Sequence, residues 1–371
     1  GNDALQLGRA GSGVASPRSA YWAYLNPASI VHLERRFDSS WYMVHTDIEL
    51  EPAGLIGNRL DGTLESEDIY NIFSGGIIWP LKNGKGTLGG GLYVPSGTGV
   101  DYPHSRNWFS RIFQGNADRR LLYQHMRLVT AYGYELGNGW AVGAGLHTSL
   151  TRFRTDHITL NFSPTRGDNA WDDGLGIGFN LGVYKTWSRF ALGATYSSRH
   201  WTQHLDKYDD LLGSPLDTPQ ILQCGIAYKL LPELELTVDY KYLNWSGVDI
   251  YGGKMMDGCF NWHDQHGVKI GLELEASHKL TFMAGLAHSS RPIDEDHLFL
   301  ASLVPVAIRT HVTAGLSYAL NDKHGIHFAA IHGFNNELVD TGEGALLSHL
   351  GKGTRLDSGG QSIVLGYTYM S

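Results

Sequence analysis

Alternation of apolar and polar residues constrains the fold of this chain more than any other feature. The clearest example is the segment 234–242, where Leu234, Leu236, Val238, Tyr240 and Tyr242 share one parity and polar residues occupy the other. Successive side chains of a β-strand point to opposite faces, so this period of two predicts a strand with one apolar face. About fourteen such segments recur, with connections that are alternately short and long, which is typical of a transmembrane antiparallel β-barrel. The function should therefore be sought in a membrane pore.

The strands are placed by this alternation and by the turn residues between them. They are predicted at 37–50, 66–79, 86–96, 121–136, 139–156, 173–186, 189–201, 219–230, 233–247, 265–276, 279–290, 306–320, 323–335 and 360–370. Short joints contain turn formers such as Pro80, Gly84, Gly137, Asn138 and Pro232, and long joints are polar. In barrels of this kind the short turns face the periplasm and the long loops face outward. The even strand number places both ends of the barrel sequence on one side.

Composition supports an all-β membrane protein and excludes several other classes. Hydrophobic residues make up 42% and charged residues 18% of the chain, yet no run approaches the ~20 apolar residues of a membrane helix. The 47 glycines, 19 tyrosines and 10 tryptophans suit curved strands and aromatic girdles. A net charge of −8 argues against a nucleic-acid partner. A soluble β-sandwich is the alternative, but such domains rarely contain so many long strands.

The parity of a residue, that is, its odd or even position along a strand, also assigns it to the outer or the inner face of the barrel wall. In the segment 265–276 the apolar residues are Val268, Ile270, Leu272 and Leu274, and the charged residues of the other parity are Lys269, Glu273 and Glu275. A charge facing lipid near the midplane costs ~2–4 kcal/mol, so the polar parity should line the lumen. Cys224 has the apolar parity of its strand and is predicted to face lipid. Two cysteines, Cys224 and Cys259, are too few for a disulfide framework, and whether they pair is left open.

Residues 1–36 precede the first strand and lack its alternation. Small residues dominate the stretch from Gly8 to Gly13, and the Asn26 side chain can cap a helix whose first residue is Pro27. A dozen-odd strands enclose a lumen too wide for wall side chains to fill. We therefore expect residues 1–36 to form a short helical hatch that plugs the lumen, and 37–371 to form the barrel.

Two groups of apolar residues are candidates for binding a hydrophobic ligand. They are Tyr21, Trp22 and Tyr24 in the hatch, and Trp108, Phe109, Ile112 and Phe113 in a long loop. The loop residues have helical spacing and lie among arginines, which could attract a carboxylate or the phosphates of the outer leaflet. An exposed apolar stripe usually indicates binding, although the loop could simply pack on its neighbours.

No pattern indicates a metal, a cofactor or a catalytic group. The run His263-Asp264-Gln265-His266 has suitable ligand types, but the sequence fixes no third ligand nearby. No nucleophile or carboxylate is singled out beside a histidine, so the chain is not expected to be an enzyme. The alternatives to a transporter are a plugged structural or adhesive barrel, a general porin, and an outer-membrane hydrolase.

Several motifs, in order along the chain, resemble the FadL/TodX family of outer-membrane transporters for hydrophobic compounds. The hatch carries Gly8-Arg9-Ala10, Ser12-Gly13 and the triplet Asn26, Pro27 and Ala28 in the positions of the family's hatch motif. Further similar blocks lie at 93–102, 176–183, 193–198, 216–219 and 285–292. The resemblance rests on the order of these blocks, because each alone is weak.

The resemblance implies a monomeric, fourteen-stranded barrel in the outer membrane of a Gram-negative bacterium. Such a protein takes up long-chain fatty acids or aromatic hydrocarbons by loop capture, an interior site and lateral exit through a kink in the third strand. Gly89, Gly90, Gly91 and Pro95 match that kink, since proline and glycine weaken a ladder; alternatively the glycines give clearance to the plug. The implied partners are the ligand, outer-membrane lipid and lipopolysaccharide, and the barrel-assembly machinery.

The two chain ends add two expectations. A signal peptide should have been removed at or just before Gly1, since an outer-membrane protein must be secreted. The chain finishes on Tyr369, Met370 and Ser371, whereas barrels of this kind usually finish on an aromatic residue that is recognised during assembly. How this barrel is inserted therefore stays open.

Overall fold

The wall of the protein is a closed antiparallel barrel of fourteen strands. This computed structural model describes residues 3–54, 63–82, 84–102, 119–155, 170–209, 211–254, 259–296, 298, 304–305, 308–344 and 348–371. Its strands are β1 (Arg36–Glu51), β2 (Leu64–Pro80), β3 (Gly86–Tyr102), β4 (Arg119–Gly137), β5 (Trp140–Thr155), β6 (Asp172–Thr186), β7 (Phe190–Ser197), β8 (Trp201–Thr202), β9 (Ile221–Leu231), β10 (Leu234–Leu243), β11 (Gln265–Glu275), β12 (Leu280–Ser289), β13 (Thr310–Ala319), β14 (His324–Val339) and β15 (Arg355–Met370). The predicted fold class is confirmed.

Neighbouring strands pair in sequence order, and β1 pairs with β15 to close the cylinder, from Arg36↔Met370 to Glu51↔Arg355. The two-residue β8 continues the line of β7, because both pair with β6 and a short break separates them. The two segments therefore occupy one place in the wall. A closed barrel has no edge strand, so every strand has a neighbour on both sides.

The connections alternate between short turns and long loops, as the sequence predicts. The turn from β4 to β5 is one of two with only two residues between the strands, and Gly137, Asn138 and Gly139 have φ values of 98°, 52° and 75°. Glycine and asparagine tolerate this left-handed region better than other residues. The short turns define one end of the barrel, here called the turn end, and the long loops define the loop end.

The two faces of the wall follow the predicted parity. On β11, Val268 and Ile270 are 48% and 41% exposed on the outer face, whereas Glu273 on the inner face is buried. Cys224 is exposed on the outer face, and Cys224 and Cys259 do not form a disulfide with each other. None of the helices within the described ranges has the length and apolarity needed to cross a membrane.

The N-terminal segment lies inside the barrel, near the turn end. It contains α1 (Ala4–Leu7), α2 (Trp22–Leu25) and a 3-10 turn at Ser29–His32. Wall glycines give it room: a Cβ on Gly143 would lie 2.5 Å from Pro27 O, and one on Gly285 would lie 2.5 Å from the Arg9 carbonyl carbon. The backbones of the wall and of this segment therefore approach each other closely at these glycines, which larger wall residues would prevent.

Asn26 joins the segment to itself and to the wall. Its Oδ1 accepts a hydrogen bond from Ala28 N at 3.2 Å, as a helix cap does, and its Nδ2 donates to Val14 O and to Val183 O on β6. The turn that follows is the short 3-10 turn rather than an α-helix beginning at Pro27. The capping bond is thus present, but the helix expected after it is shorter and starts later.

A buried charge cluster fixes the segment to β10 and β11. Arg9 is fully buried, and its guanidinium lies 3.6 Å from Glu235 and 3.5 Å from Glu273. Arg18 pairs with the same two carboxylates at 2.9 and 2.8 Å. Nearby, Asp239 accepts from the backbone N–H groups of the segment at residues 13 and 14. Removing one partner of such a buried pair typically costs 3–5 kcal/mol, so this cluster is a strong anchor.

We expect deletion of residues 1–35 to open a conducting channel while the barrel persists. The strands pair with each other without help from the segment, and its removal would leave the lumen unfilled. Single-channel recording in planar bilayers, with heat-modifiable migration as the folding control, measures this. Replacing Arg9 by Met should give brief openings through the same route. A deletion variant that inserts normally yet passes no current would contradict a separable plug.

Candidate functional site

An internal cavity of about 330 Å³ lies between the N-terminal segment and the loop end. Its lower side is formed by Tyr24 of α2, Arg127 of β4 and Lys241 of β10. Its roof is formed by aromatic residues of the connection between β10 and β11. We call this cavity the pocket.

The roof of the pocket is a cluster of four aromatic rings. They belong to Trp245, Tyr251, Phe260 and Trp262. The Trp245 and Tyr251 centroids are 4.7 Å apart, and Trp262 lies 5.0 Å from each of these two rings. Aromatic side chains carry large apolar surfaces, so the roof is suited to contact an apolar ligand body.

Asp264 holds the first residues of this roof in place. It accepts hydrogen bonds from Tyr242 Oη at 2.6 Å and from Ser246 N at 2.9 Å. Backbone bonds from Phe260 N to Ile250 O and from Trp262 N to Tyr251 O close the rest of the connection. Asp264 therefore has a structural role as a hydrogen-bond acceptor. This role explains the presence of one of the residues in the run 263–266, whose residue types are also those of metal ligands.

Arg127 is a buried cation without a carboxylate partner among the described residues. Its Nε donates to His125 Nε2 at 2.9 Å, and one terminal nitrogen donates to Thr218 Oγ1 at 2.7 Å. The other terminal nitrogen, NH1, is buried and has no hydrogen-bond partner in the described part of the chain. The guanidinium carbon also lies 5.7 Å from the Tyr24 ring centroid. A buried charge that lacks a partner is costly, so this group is suited to bind an anion.

Lys241 adds a second positive charge to the same cavity. Within the residues that the structure describes, its ammonium makes no hydrogen bond and no ion pair. The nearby carboxylate of Asp217 is already engaged, with Arg199 Nε at 2.7 Å and Thr202 N as donors. The pocket thus combines an aromatic roof with two uncompensated cations.

Buried histidines help to position Arg127. Arg127 Nε can only donate, so His125 Nε2 accepts, and His125 Nδ1 then carries the ring proton and donates to Thr151 Oγ1 at 2.9 Å. His147 and His200 lie beside it, with Nδ1 of the first 3.3 Å from Nε2 of the second. These histidines could not be grouped from the sequence because they come from separate strands, although their lumen-facing parity was a usable signal.

The wall has an opening beside the pocket, between β2 and β3. Their ladder runs from Pro80↔Thr87 to Gly75↔Leu92 and ends there, although both strands continue toward the loop end. A cavity of about 540 Å³ lies beyond this point, lined by Thr46 and Ile48 on the lumen side and by outward residues including Ile69, which is 61% exposed. We call this cavity the window. At its upper limit, Asp101 N donates to Ser66 Oγ at 2.9 Å.

One extra residue in β3 accounts for the end of the ladder. Tyr93 pairs with Arg127 and Ser96 pairs with His125, so three steps on β3 match two on β4. Pro95 lies in this bulge and has no N–H to donate. A bulge bends its strand and increases its twist, so upper β3 leaves β2 while it stays paired with β4.

The glycine run does not interrupt β3, which corrects the predicted position of the kink. Gly89, Gly90 and Gly91 pair with β2 and with β4 without a break. A Cβ on Gly89 would lie 3.0 Å from Ala23 Cβ and 3.1 Å from Ile30 Cδ1 of the N-terminal segment. Clearance for that segment is therefore the better explanation of Gly89, and of the four predicted residues only Pro95 lies at the bulge.

The predicted ligand-binding residues fall into three groups. Tyr24 lines the pocket. Tyr21 and Trp22 line neither the pocket nor the window, because Trp22 is fully buried with its indole donating to Gly13 O, and Tyr21 packs against Tyr93 at 5.3 Å. Both side chains therefore pack within the hatch, and their contact with a ligand stays a prediction. The loop residues Trp108, Phe109, Ile112 and Phe113 lie outside the described residues.

The pocket and the window share Gly97, Thr98 and Tyr123 as lining residues. The two cavities are therefore neighbours across the upper β3 backbone and the Tyr123 ring. A molecule in the pocket would lie next to the window at this place.

Comparison with known proteins identifies a family. A family model described as outer membrane protein transport protein (OMPP1/FadL/TodX) matches residues 2–371. No curated protein matches the chain.

Solved structures show the same fold at low identity. The crystal structure of the Pseudomonas putida toluene transporter TodX has a TM-score of 0.74 and 16% identity, covering 100% of this chain and 99% of that chain. A Pseudomonas aeruginosa FadL homologue has a TM-score of 0.72, and the Ralstonia pickettii toluene transporter TbuX one of 0.71. Both are 16% identical, with 100% of this chain and 98% of theirs covered.

We expect Trp262→Ala to weaken binding of any apolar ligand to the pocket. Losing most of one aromatic contact surface removes about 1.5–3 kcal/mol, which corresponds to roughly 10- to 100-fold in affinity. Calorimetry on the detergent-solubilised protein measures this, and Trp79→Ala is the matched control because Trp79 lies on the outer face under Arg35. Equal affinity in wild type and Trp262→Ala would show that the roof takes no part in binding.

Proposed function

The chain belongs to the outer membrane protein transport family OMPP1/FadL/TodX, and we propose that it takes up hydrophobic small molecules that carry an anionic group. The observation that supports this choice is the buried, unpartnered terminal nitrogen of Arg127 beside Lys241, beneath an aromatic roof. A fatty acid or an aromatic carboxylic acid would satisfy both features. A neutral hydrocarbon such as toluene would leave the cations without a partner.

Binding energy in such a site comes from two separate sources. Each CH₂ removed from water contributes ~0.8 kcal/mol, so affinity should rise about fourfold per carbon until the pocket is full. Hydrogen bonds from a charged donor contribute about 1.5–3 kcal/mol and fix the orientation of the headgroup. The apolar body therefore supplies most of the affinity, and the cations supply selectivity.

The proposed route runs from the loop end through the pocket and out sideways through the window. The buried charge cluster of Arg9 and Arg18 supports this direction, since a straight passage to the turn end would require the anchored segment to move. The window supports it because outward apolar residues such as Phe73 and Leu92 line its far side. A hydrophobic molecule would then enter lipid directly without crossing water, and no energy source is needed.

Replacing Arg127 or Lys241 by Met should lower affinity for a carboxylate ligand by roughly 10- to 100-fold and leave its methyl ester almost unchanged. The ester keeps the apolar body and lacks only the charge, so the comparison isolates the headgroup. Quenching of roof tryptophan fluorescence or calorimetry gives the affinities. Lys229→Met, on the exposed end of β9, is the control. Wild-type protein that binds acid and ester equally, or prefers a neutral hydrocarbon, would refute the anionic ligand class.

Deleting Pro95 should close the window and reduce uptake while the barrel stays folded. The deletion removes the one extra residue of β3, so a regular ladder with both neighbours becomes possible. Uptake into liposomes should fall at least tenfold. Pro95 also lines the pocket, so the pocket affinity is measured for the same variant and should fall less than the uptake.

Pro95→Ala is the matched variant for this test. It keeps the extra residue and restores only an N–H group, so its uptake should stay near the wild-type rate. If the deletion variant is folded, heat-modifiable and still transports at the wild-type rate, the ligand leaves by another route.

A further inference from the structure

The side chain of Tyr70 lies across the window from β2 to β3. Tyr70 lines the window, and its parity on β2 is that of the lumen-facing Leu64 and Ser66, which are buried. A Cβ on Gly99 of β3 would overlap the Tyr70 hydroxyl and would lie 3.0 Å from its Cζ. The phenol therefore rests against the backbone of Gly99, at a level where the ladder between β2 and β3 has already ended.

The backbone on either side of Tyr70 is held independently of its ring. Below it, the ladder between β2 and β3 resumes at Gly75↔Leu92, and above it Asp101 N donates to Ser66 Oγ. On its other side, β2 stays paired with β1 along this stretch, with Tyr70 opposite Val44. The ring can thus swing away from Gly99 by side-chain rotation, without loss of a ladder hydrogen bond.

The size of residue 99 fits this arrangement. Its neighbours in the window are the Tyr70 ring and Leu122, whose Cδ1 would lie 2.9 Å from a Cβ at this position. A larger residue would take the space that the phenol occupies. Gly99 therefore provides the seat for the ring, rather than flexibility in the strand.

Tyr70 belongs to the window alone. It does not line the pocket, whereas Gly97, Thr98 and Tyr123 line both cavities. A change at Tyr70 can therefore alter passage through the window without removing a contact to a molecule in the pocket.

We propose that Tyr70 is the gate of the window: its ring, seated on Gly99, limits the width of the passage from the pocket to the lipid face and so selects ligands by bulk at the exit step. This inference rests on the proposed lateral route. It adds a specificity-determining residue that acts on the rate of release and leaves affinity in the pocket unchanged.

The test compares uptake rates and pocket affinities for a series of carboxylic acids of increasing ring number. Tyr70→Ala should raise the uptake of the bulkiest members at least fivefold and that of the slimmest less than twofold, with affinities within twofold of wild type. Tyr70→Phe keeps the ring and should preserve the wild-type size dependence. Tyr42→Ala is the matched control, because Tyr42 is half-buried on β1 and lines neither cavity.

A double-mutant cycle separates a gate from a simple packing role. Gly99→Ala displaces the ring and should change the size dependence in the wild-type background, but its effect should be much smaller when Tyr70 is already Ala, because only the end of the Leu122 side chain then has to move. Additive effects of the two substitutions, or a size dependence that Tyr70→Ala leaves unaltered, would overturn the gate.

The outcome for the gate is distinguishable from the outcome for the proposed function. If deleting Pro95 abolishes uptake and Tyr70→Ala leaves the size dependence of uptake unchanged, the gate is overturned and the lateral route stays intact. Wild-type protein that takes up none of the acids overturns the proposed function, and the gate with it.

Discussion

The structure depends on one constraint: backbone N–H and C=O groups in lipid must find partners within the protein, since no water is available there. Closure of fourteen strands meets this requirement around the wall. Between β2 and β3 the ladder ends at Gly75↔Leu92, and a cavity takes its place. Backbone without a ladder is tolerated at membrane depth where it lines a cavity or is covered by protein. The extra residue at Pro95 thus interrupts the strand pairing that is continuous in the rest of the wall. Such an interruption can provide a passage through the wall.

Buried charge has opposite consequences in two parts of the lumen. Arg9 and Arg18 share the carboxylates of Glu235 and Glu273, so their charges are compensated and hold the N-terminal segment to the wall. Arg127 and Lys241 face a cavity without a carboxylate in reach among the described residues. Burial removes water from both pairs of cations, but in the second pair no described carboxylate offsets the cost of that desolvation. The first arrangement stabilises the resting structure, whereas the second stores unfavourable energy that an anionic ligand would relieve.

Much of the fold was predictable from the sequence, because period-two alternation and turn residues are local signals. Each predicted strand overlaps an observed one, and the parity of β11 gave both faces of the wall correctly. The pocket was not predictable in this way, since Arg127, Lys241 and Trp262 meet only through the register of strands far apart in sequence. The glycine run allowed two interpretations because glycine serves both to weaken a strand and to give clearance, and the sequence does not separate these roles. Pro95 was the more reliable signal, since its missing N–H is incompatible with a regular central strand.

The pocket and the window place opposite demands on an amphipathic anion. Tight pairing with Arg127 and Lys241 favours binding, but it also opposes release, and moving a carboxylate into hydrocarbon is costly. Because Gly97, Thr98 and Tyr123 line both cavities, the apolar end of a ligand can enter the window while its headgroup is still at the cations. Each CH₂ that reaches lipid then contributes ~0.8 kcal/mol toward release before the ion pair breaks. On the proposed function, a long apolar body therefore assists both capture and exit, and the headgroup needs to leave its partners only when most of the molecule is already outside the wall.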